Sequence, residues 1–149
     1  MEIRLAGAGD IDGWMRLVEQ VKNSFPGLET REAMEEHRTA VLEFIGRDAA
    51  ICADTGSRIA GVLLFSREEG ALCFLAVDRE CRRQHIAAEM VAFMLAFMEP
   101  GRDITVTTFR EGVPEGEAAR AFYKRLGFVQ GRLTEEFGSP VQEFVWKRT

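Results

Sequence analysis

The sequence is poor in the residues that most often announce a site: three cysteines, two histidines, one tyrosine and four prolines in 149 residues. Cys52, Cys73 and Cys81 are odd in number and lack the paired spacing of a zinc centre or a disulfide framework, which reads as reduced thiols in a cytoplasmic protein without a metal. Cys52 and Cys73 stand in apolar strand-like segments and read as core filler. Cys81 has arginine neighbours that would favour its thiolate. There is no excess of positive charge either. A formal net charge of −5 argues against a nucleic-acid or anionic-membrane binder, because phosphate-dominated binding needs a basic face. No apolar run is long enough to cross a bilayer, since Ile86 to Met98 is short and interrupted by Glu89. The amino terminus, MEIRLAGAGDID, is charged at positions 2 and 4 and has no signal-like core. No Gly-Lys-Ser/Thr follows a glycine loop, and Gly7, Gly9 and Gly13 are misspaced for a dinucleotide fingerprint. The expectation is a cytoplasmic protein with one domain over residues 1–149.

What is present is a clear order of elements. EIRLA alternates as a strand. Ile11, Trp14, Leu17, Val18 and Val21 repeat as one helix face, with Asp10 as the expected N-cap and Pro26-Gly27 as the stop. A second helix is expected from Thr30, its charges forming a solvated face that includes His37. The segment from Ala49 to Asp78 reads as three strands joined at Thr55-Gly56-Ser57 and at Glu68-Glu69-Gly70. A helix from Gln84 to Met98, the β-branched strand DITVTTF and a short helix closed by Gly127 follow. The tail predicts two strands around a Gly138-Ser139-Pro140 turn. Its aromatics Phe137, Phe144 and Trp146 suit either core strands or a homodimer contact. The order implies a mixed α/β (α+β) domain, mostly antiparallel, with one strand-helix-strand crossover that calls for a parallel pair.

Arg79, Arg82 and Arg83 are concentrated where a strand gives way to an almost uncharged helix. A helix start offers N–H groups without internal acceptors, together with a partial positive charge. Arginines added there suit a phosphate ligand. Solvent-exposed arginines paired weakly with Asp78 and Glu80 are the plainer alternative. VDRECRRQHIA resembles the pyrophosphate loop of the GNAT superfamily of N-acetyltransferases, Arg/Gln-x-x-Gly-x-Gly/Ala, with Arg82, His85 and Ala87 at its defined positions. His85 replaces a glycine, and its backbone N–H can still face a phosphate provided its φ is negative and the imidazole points away. Downstream, AARAFYKRLGF resembles the family's second segment, placing Ala119, Phe122, Tyr123, Gly127 and Phe128 on matching positions. Gly116 stands where the family often has an asparagine on the cofactor arm.

The resemblance implies a GNAT-like fold of about six to seven strands and about four helices, with a splayed parallel strand pair. It implies acetyl-CoA as cosubstrate and transfer to a primary amine in a ternary complex. The loop Arg82, Arg83, Gln84, His85, Ile86, Ala87 and Ala88 would hold the diphosphate, and Leu75, Ala76 and Val77 would pair with the pantetheine arm. A backbone N–H of Leu75 or Ala76 would face the thioester oxygen. Tyr123 would stabilise the departing sulfur. A phenol near pKa ~10 against a thiol near ~8.5 makes hydrogen bonding the safer role than full proton transfer. Glu111, just after a strand, is the candidate base, with Glu68, Glu69 and His37 as weaker ones. The acceptor, a small or a protein amine, is not specified. A catalytically silent acyl-CoA-binding module and a different acyl donor remain alternatives.

Overall fold

The computed structural model describes residues 1–82 and 85–148. Seven strands form one sheet in the order β1-β2-β3-β4-β5-β7-β6. They are β1 (Glu2–Leu5), β2 (Ala50–Asp54), β3 (Ile59–Ser66), β4 (Ala71–Val77), β5 (Ile104–Phe109), β6 (Val129–Glu136) and β7 (Ser139–Trp146). The helices are α1 (Ile11–Val21), α2 (Arg31–Gly46), α3 (Ile86–Leu95) and α4 (Glu117–Leu126). All pairings are antiparallel except β4 with β5, so the expected mixed sheet with one parallel pair is present.

Strand alternation divides the core in two. Ile51, Ala60, Leu63 and Phe65 pack beneath Ile86, Met90 and Met94 of α3 and Tyr123 of α4. On the other face, Cys52, Val62 and Leu64 pack beneath Trp14, Leu17 and Val18 of α1 and Met34 and Val41 of α2. Period-two strands buried on both faces give the continuous apolar run of β3, and the helices supply the stripes that cover it. Close approach of α3 requires Gly61, where an added Cβ would sit 2.7 Å from the Met90 methyl carbon.

Several local expectations hold. Thr30 Oγ1 accepts from Ala33 N–H at 3.0 Å, capping α2, and Gly127 ends α4 at φ 112°. Asp10 departs from its expected role, its side chain making no capping bond to α1. Its carboxylate is drawn to the Arg4 guanidinium at 2.8 and 2.9 Å and accepts from Gly7 N–H. The last hairpin also differs. It turns on Phe137 and Gly138, both with positive φ of 53° and 76°, while Pro140 pairs with Glu135 inside the ladder. Phe144 is fully buried, Trp146 is half-buried against Phe128, and only Phe137 of that trio is exposed.

Candidate active site

The site begins with a fault in the sheet. Opposite β3, Leu64 pairs with Phe74 but Phe65 pairs with Leu72, so Cys73 is an extra residue, a β-bulge. This leaves Cys73 exposed instead of serving as core filler. Beyond the bulge β4 swings away from β5. The two strands share a single residue pair, Ala71 with Thr105, and Thr105 N–H donates to Gly70 O at 2.9 Å.

The register shows which main-chain groups the gap leaves free. Asp78 N–H donates to Ala60 O at 2.8 Å, and Val77, Ala76 and Leu75 lie opposite Gly61, Val62 and Leu63. Hydrogen-bonded and non-hydrogen-bonded pairs alternate in an antiparallel ladder. Ala76 therefore faces β3, while the N–H and C=O groups of Leu75 and Val77 point into the gap.

A cleft of about 780 Å³ opens there, within the usual range for small-ligand sites. One wall is Leu75 to Val77, and the opposite wall is α4 with Ala119, Phe122 and Tyr123. Its far end is formed by Arg82 and by the start of α3, His85 to Ala88. The first intrahelical bond runs from Glu89 N–H to His85 O at 3.0 Å, so the amides of Ile86, Ala87 and Ala88 have no acceptor within the helix. Arg82 is exposed at the rim. Arg83 and Gln84 lie outside the described residues.

His85 overturns one expectation. Its φ is +61° with ψ 20°, the left-handed conformation, and its side chain makes no capping bond. The backbone keeps the turn a glycine would make, and a histidine tolerates it at some cost because its ring is solvent-exposed. Gly116 also has a local cause. An added Cβ there would lie 2.6 Å from Phe109 Cβ, so an asparagine cannot be accommodated without a shift.

Tyr123 is 5% exposed, packed between the rings of Phe122, Phe128 and Phe144. Its hydroxyl has no hydrogen-bond partner among the described residues, and burial pushes the phenol pKa upward. Such a group is a hydrogen-bond donor rather than a proton source. The helix that carries it is fixed by Arg120, 3% exposed, which donates to Phe109 O at 3.0 Å and Gln142 Oε1 at 2.8 Å. Glu111 is exposed, lies 3.9 Å from Arg120, and is not among the cleft residues.

Reading the sequence missed parts of this cleft. Val21, Ser24 and Phe25, at the end of α1, close it over β4, and Arg125 adds a second cation to the α4 wall. Nothing local marks the first three, since they reach the site only through the packing of α1. Arg125 lay within the segment already singled out. His37 is half-buried instead of solvated: its ring lies 4.7 Å from Phe74, its Nε2 is buried without a partner, and burial pushes its pKa down to about 4.

The family model described as an acetyltransferase (GNAT) domain matches residues 46–130, more than half of the chain. The chain belongs to the GNAT acetyltransferases. The fold agrees. A GNAT-family acetyltransferase from Bacillus cereus superposes with a TM-score of 0.74 at 18% identity, covering 99% of this chain and 97% of that one. A PaiA N-acetyltransferase from Thermoplasma acidophilum in complex with coenzyme A gives 0.71 at 16% identity, covering 99% and 98%. A ribosomal-protein-alanine N-acetyltransferase from Brucella melitensis gives 0.74 at 15% identity, with 99% of each chain covered. No curated protein sequence matches significantly. Among the described residues of this GNAT protein, no helix is long and apolar enough to cross a membrane. Among them, too, no three potential metal-ligating side chains gather.

Proposed function

We propose that the protein transfers the acetyl group of acetyl-CoA to a primary amine by direct attack in a ternary complex. The observation that carries this reading is the gap between β4 and β5. It combines free main-chain groups of Leu75 and Val77, amides at the start of α3 that have no acceptor within the helix, and a buried phenol on the facing helix with no partner among the described residues. These match the three parts of an acyl-CoA. The amides of Ile86 to Ala88, with Arg82, suit the diphosphate. Leu75 and Val77 suit the two amides of the pantetheine arm, added to the sheet as a strand would be.

The thioester would then lie between Leu75 N–H and Tyr123. Leu75 N–H would donate to the carbonyl oxygen as negative charge gathers on it, a contribution of about 3 kcal/mol in comparable sites. The Tyr123 hydroxyl would donate to the sulfur as it leaves. Its raised pKa makes hydrogen bonding, rather than complete proton transfer, the favoured role.

Titration calorimetry with coenzyme A is the direct test. Its thermal counterpart is a stabilisation of about 2.7 kcal/mol at a hundredfold excess over Kd, a rise on the order of 5 °C at this chain length. Tyr123→Phe should keep that affinity and lose about 100-fold or more in kcat. Full turnover in that variant would remove the tyrosine from the chemistry. Undiminished binding with no turnover in the parent protein would favour the silent acyl-CoA-binding module.

A further inference from the structure

The cleft is walled by β4, α3 and α4 and reaches the end of α1, and the α1–α2 face of the same gap has further chemistry along β5. Residues of β5 alternate, so Ile104 and Val106 belong to the α3–α4 core while Thr105 and Thr107 face the α1–α2 side. The β6–β7 hairpin curls over that side. Its tip residue Phe137 touches the loop after α1, where an added Cβ on Gly27 would meet Phe137 Cβ and Cγ at 2.9 Å. The residue before it, Glu136, is half-buried and accepts a hydrogen bond from Thr107 Oγ1 at 2.9 Å. Among the described residues no cationic side chain pairs with it.

Glu136 also acts across the gap. Although Cys73 is exposed as a residue, its sulfur is flanked closely enough that desolvation is the first cause pushing the thiol pKa up, followed by the carboxylates of Glu69 and Glu136. Thr107 lies two residues past the last β4–β5 pair and Leu75 four, with one bulge residue between. At about 3.3 Å per residue, Thr107 and Leu75 stand at neighbouring levels of the gap, the Leu75 N–H in the plane of the sheet and Thr107, with the Glu136 carboxylate bound to it, on the α1–α2 face. The contact that fixes this carboxylate is the Thr107 hydroxyl, and the Cys73 thiol lies near enough to feel its charge.

Resting on the acetyl-transfer reading above, we propose that Glu136, oriented by Thr107, receives the acceptor as a primary ammonium ion and takes its proton. A neutral amine is scarce at neutral pH, about one part in 2,500 for a lysine-like group. A carboxylate beside the thioester therefore both collects the cation and releases the nucleophile. The ammonium gives one proton to Glu136, and its nitrogen lone pair forms the C–N bond. The C–S bond breaks with its electron pair on sulfur. The new amide nitrogen loses a second proton, the thiolate regains one to give the free thiol, and one proton passes to solvent. Glu111, exposed and 3.9 Å from the Arg120 guanidinium, has a cationic neighbour to compensate its carboxylate, which Glu136 lacks among the described residues.

The test compares strongly and weakly basic acceptors. The strongly basic probes are phenethylamine, a diaminobutane, and a peptide with a free amino terminus, which separate small from peptide amines. Trifluoroethylamine, mostly neutral at neutral pH, is the weak one. Glu136→Gln should lower kcat/KM for the basic amines 100-fold or more and that for trifluoroethylamine about tenfold at most. Coenzyme A affinity by calorimetry should be unchanged. Thr107→Val, which leaves the carboxylate in place, should show the same pattern with a smaller loss. Equal losses for both amine types, no loss, or the selective loss appearing in Glu111→Gln instead would each overturn the proposal. So would failure to acetylate any probe by protein that binds acetyl-CoA. Failure of the parent protein to bind coenzyme A would sink the underlying reading as well, and calorimetry distinguishes that case.

Discussion

The left-handed histidine at the start of α3 makes a quantitative prediction. A residue with a Cβ held near φ +61° suffers contact between that Cβ and its own carbonyl, at roughly 1–2 kcal/mol. Glycine escapes this cost but has more freedom to lose on folding, about 0.5–1 kcal/mol. The imidazole is exposed and makes no capping bond, so nothing else is lost with it. His85→Gly should therefore stabilise the protein by about 0.5–1 kcal/mol, the difference of those terms. At this chain length that raises Tm by roughly 1–4 °C. The assay is paired urea and thermal unfolding of the parent, His85→Gly, His85→Ala and His85→Val. Alanine keeps the Cβ and should give no gain. Valine, branched at Cβ, should cost about 1 kcal/mol or more. Coenzyme A affinity should persist in the glycine variant, because the amides of Ile86 to Ala88 stay where they are. Destabilisation by glycine of the size seen at an ordinary helix position, about 1 kcal/mol, would refute the reasoning.

Two further outcomes follow from the same geometry. Gly116→Asn should destabilise by about 1–3 kcal/mol through overpacking against Phe109 Cβ, 2.6 Å from the new Cβ. Calorimetry should show weaker, not stronger, coenzyme A binding, since the turn leading into α4 must shift. His37, pushed down to about 4 from an ordinary 6.5 by burial, contributes stability that is whole above pH 6.5 and drains as pH falls towards 4, where the unfolded chain takes a proton the fold refuses. Between pH 7 and 4.5 the loss is about 2 kcal/mol, and urea midpoints of His37→Phe should lose most of that slope, the remainder coming from carboxylates such as Glu68 that the fold also holds below their ordinary range. The Asp10 and Asp54 carboxylates, held below the usual range by Arg4, lose their contribution only at still lower pH.

The elements were readable wherever local chemistry and tertiary packing agreed. Thr30 caps and Gly127 stops a helix because nothing elsewhere competes for them. Asp10 failed as a cap because Arg4, arriving on β1 from outside the local window, binds a carboxylate more strongly than a helix amide does. Phe137 was an implausible turn residue by propensity. Its left-handed backbone is held by contact with Gly27, a neighbour only in the folded chain. His37 looked solvated amid charged neighbours, although Phe74 covers its ring.

The same distinction divides the site. The half proposed for the cofactor is drawn chiefly from two short stretches of sequence, Leu75 to Arg82 with His85 to Ala88, and Ala118 to Leu126, so spacing along the chain carries its geometry. The acceptor half proposed above takes Thr107 from β5 and Glu136 from a hairpin 29 residues later, beside the bulge at Cys73. No spacing rule joins them, because the bulge and the curl of the hairpin, both tertiary features, decide whether they meet. Acceptor choice in this chain should accordingly be more sensitive to the Phe137–Gly27 contact than to any residue of the diphosphate loop. Phe137→Ala, which frees the hairpin tip without touching the cleft under α3 and α4, should change the ranking of amine acceptors while leaving coenzyme A affinity within about twofold, less than 0.5 kcal/mol. An unchanged ranking would mean that the acceptor approaches from somewhere other than beneath this hairpin.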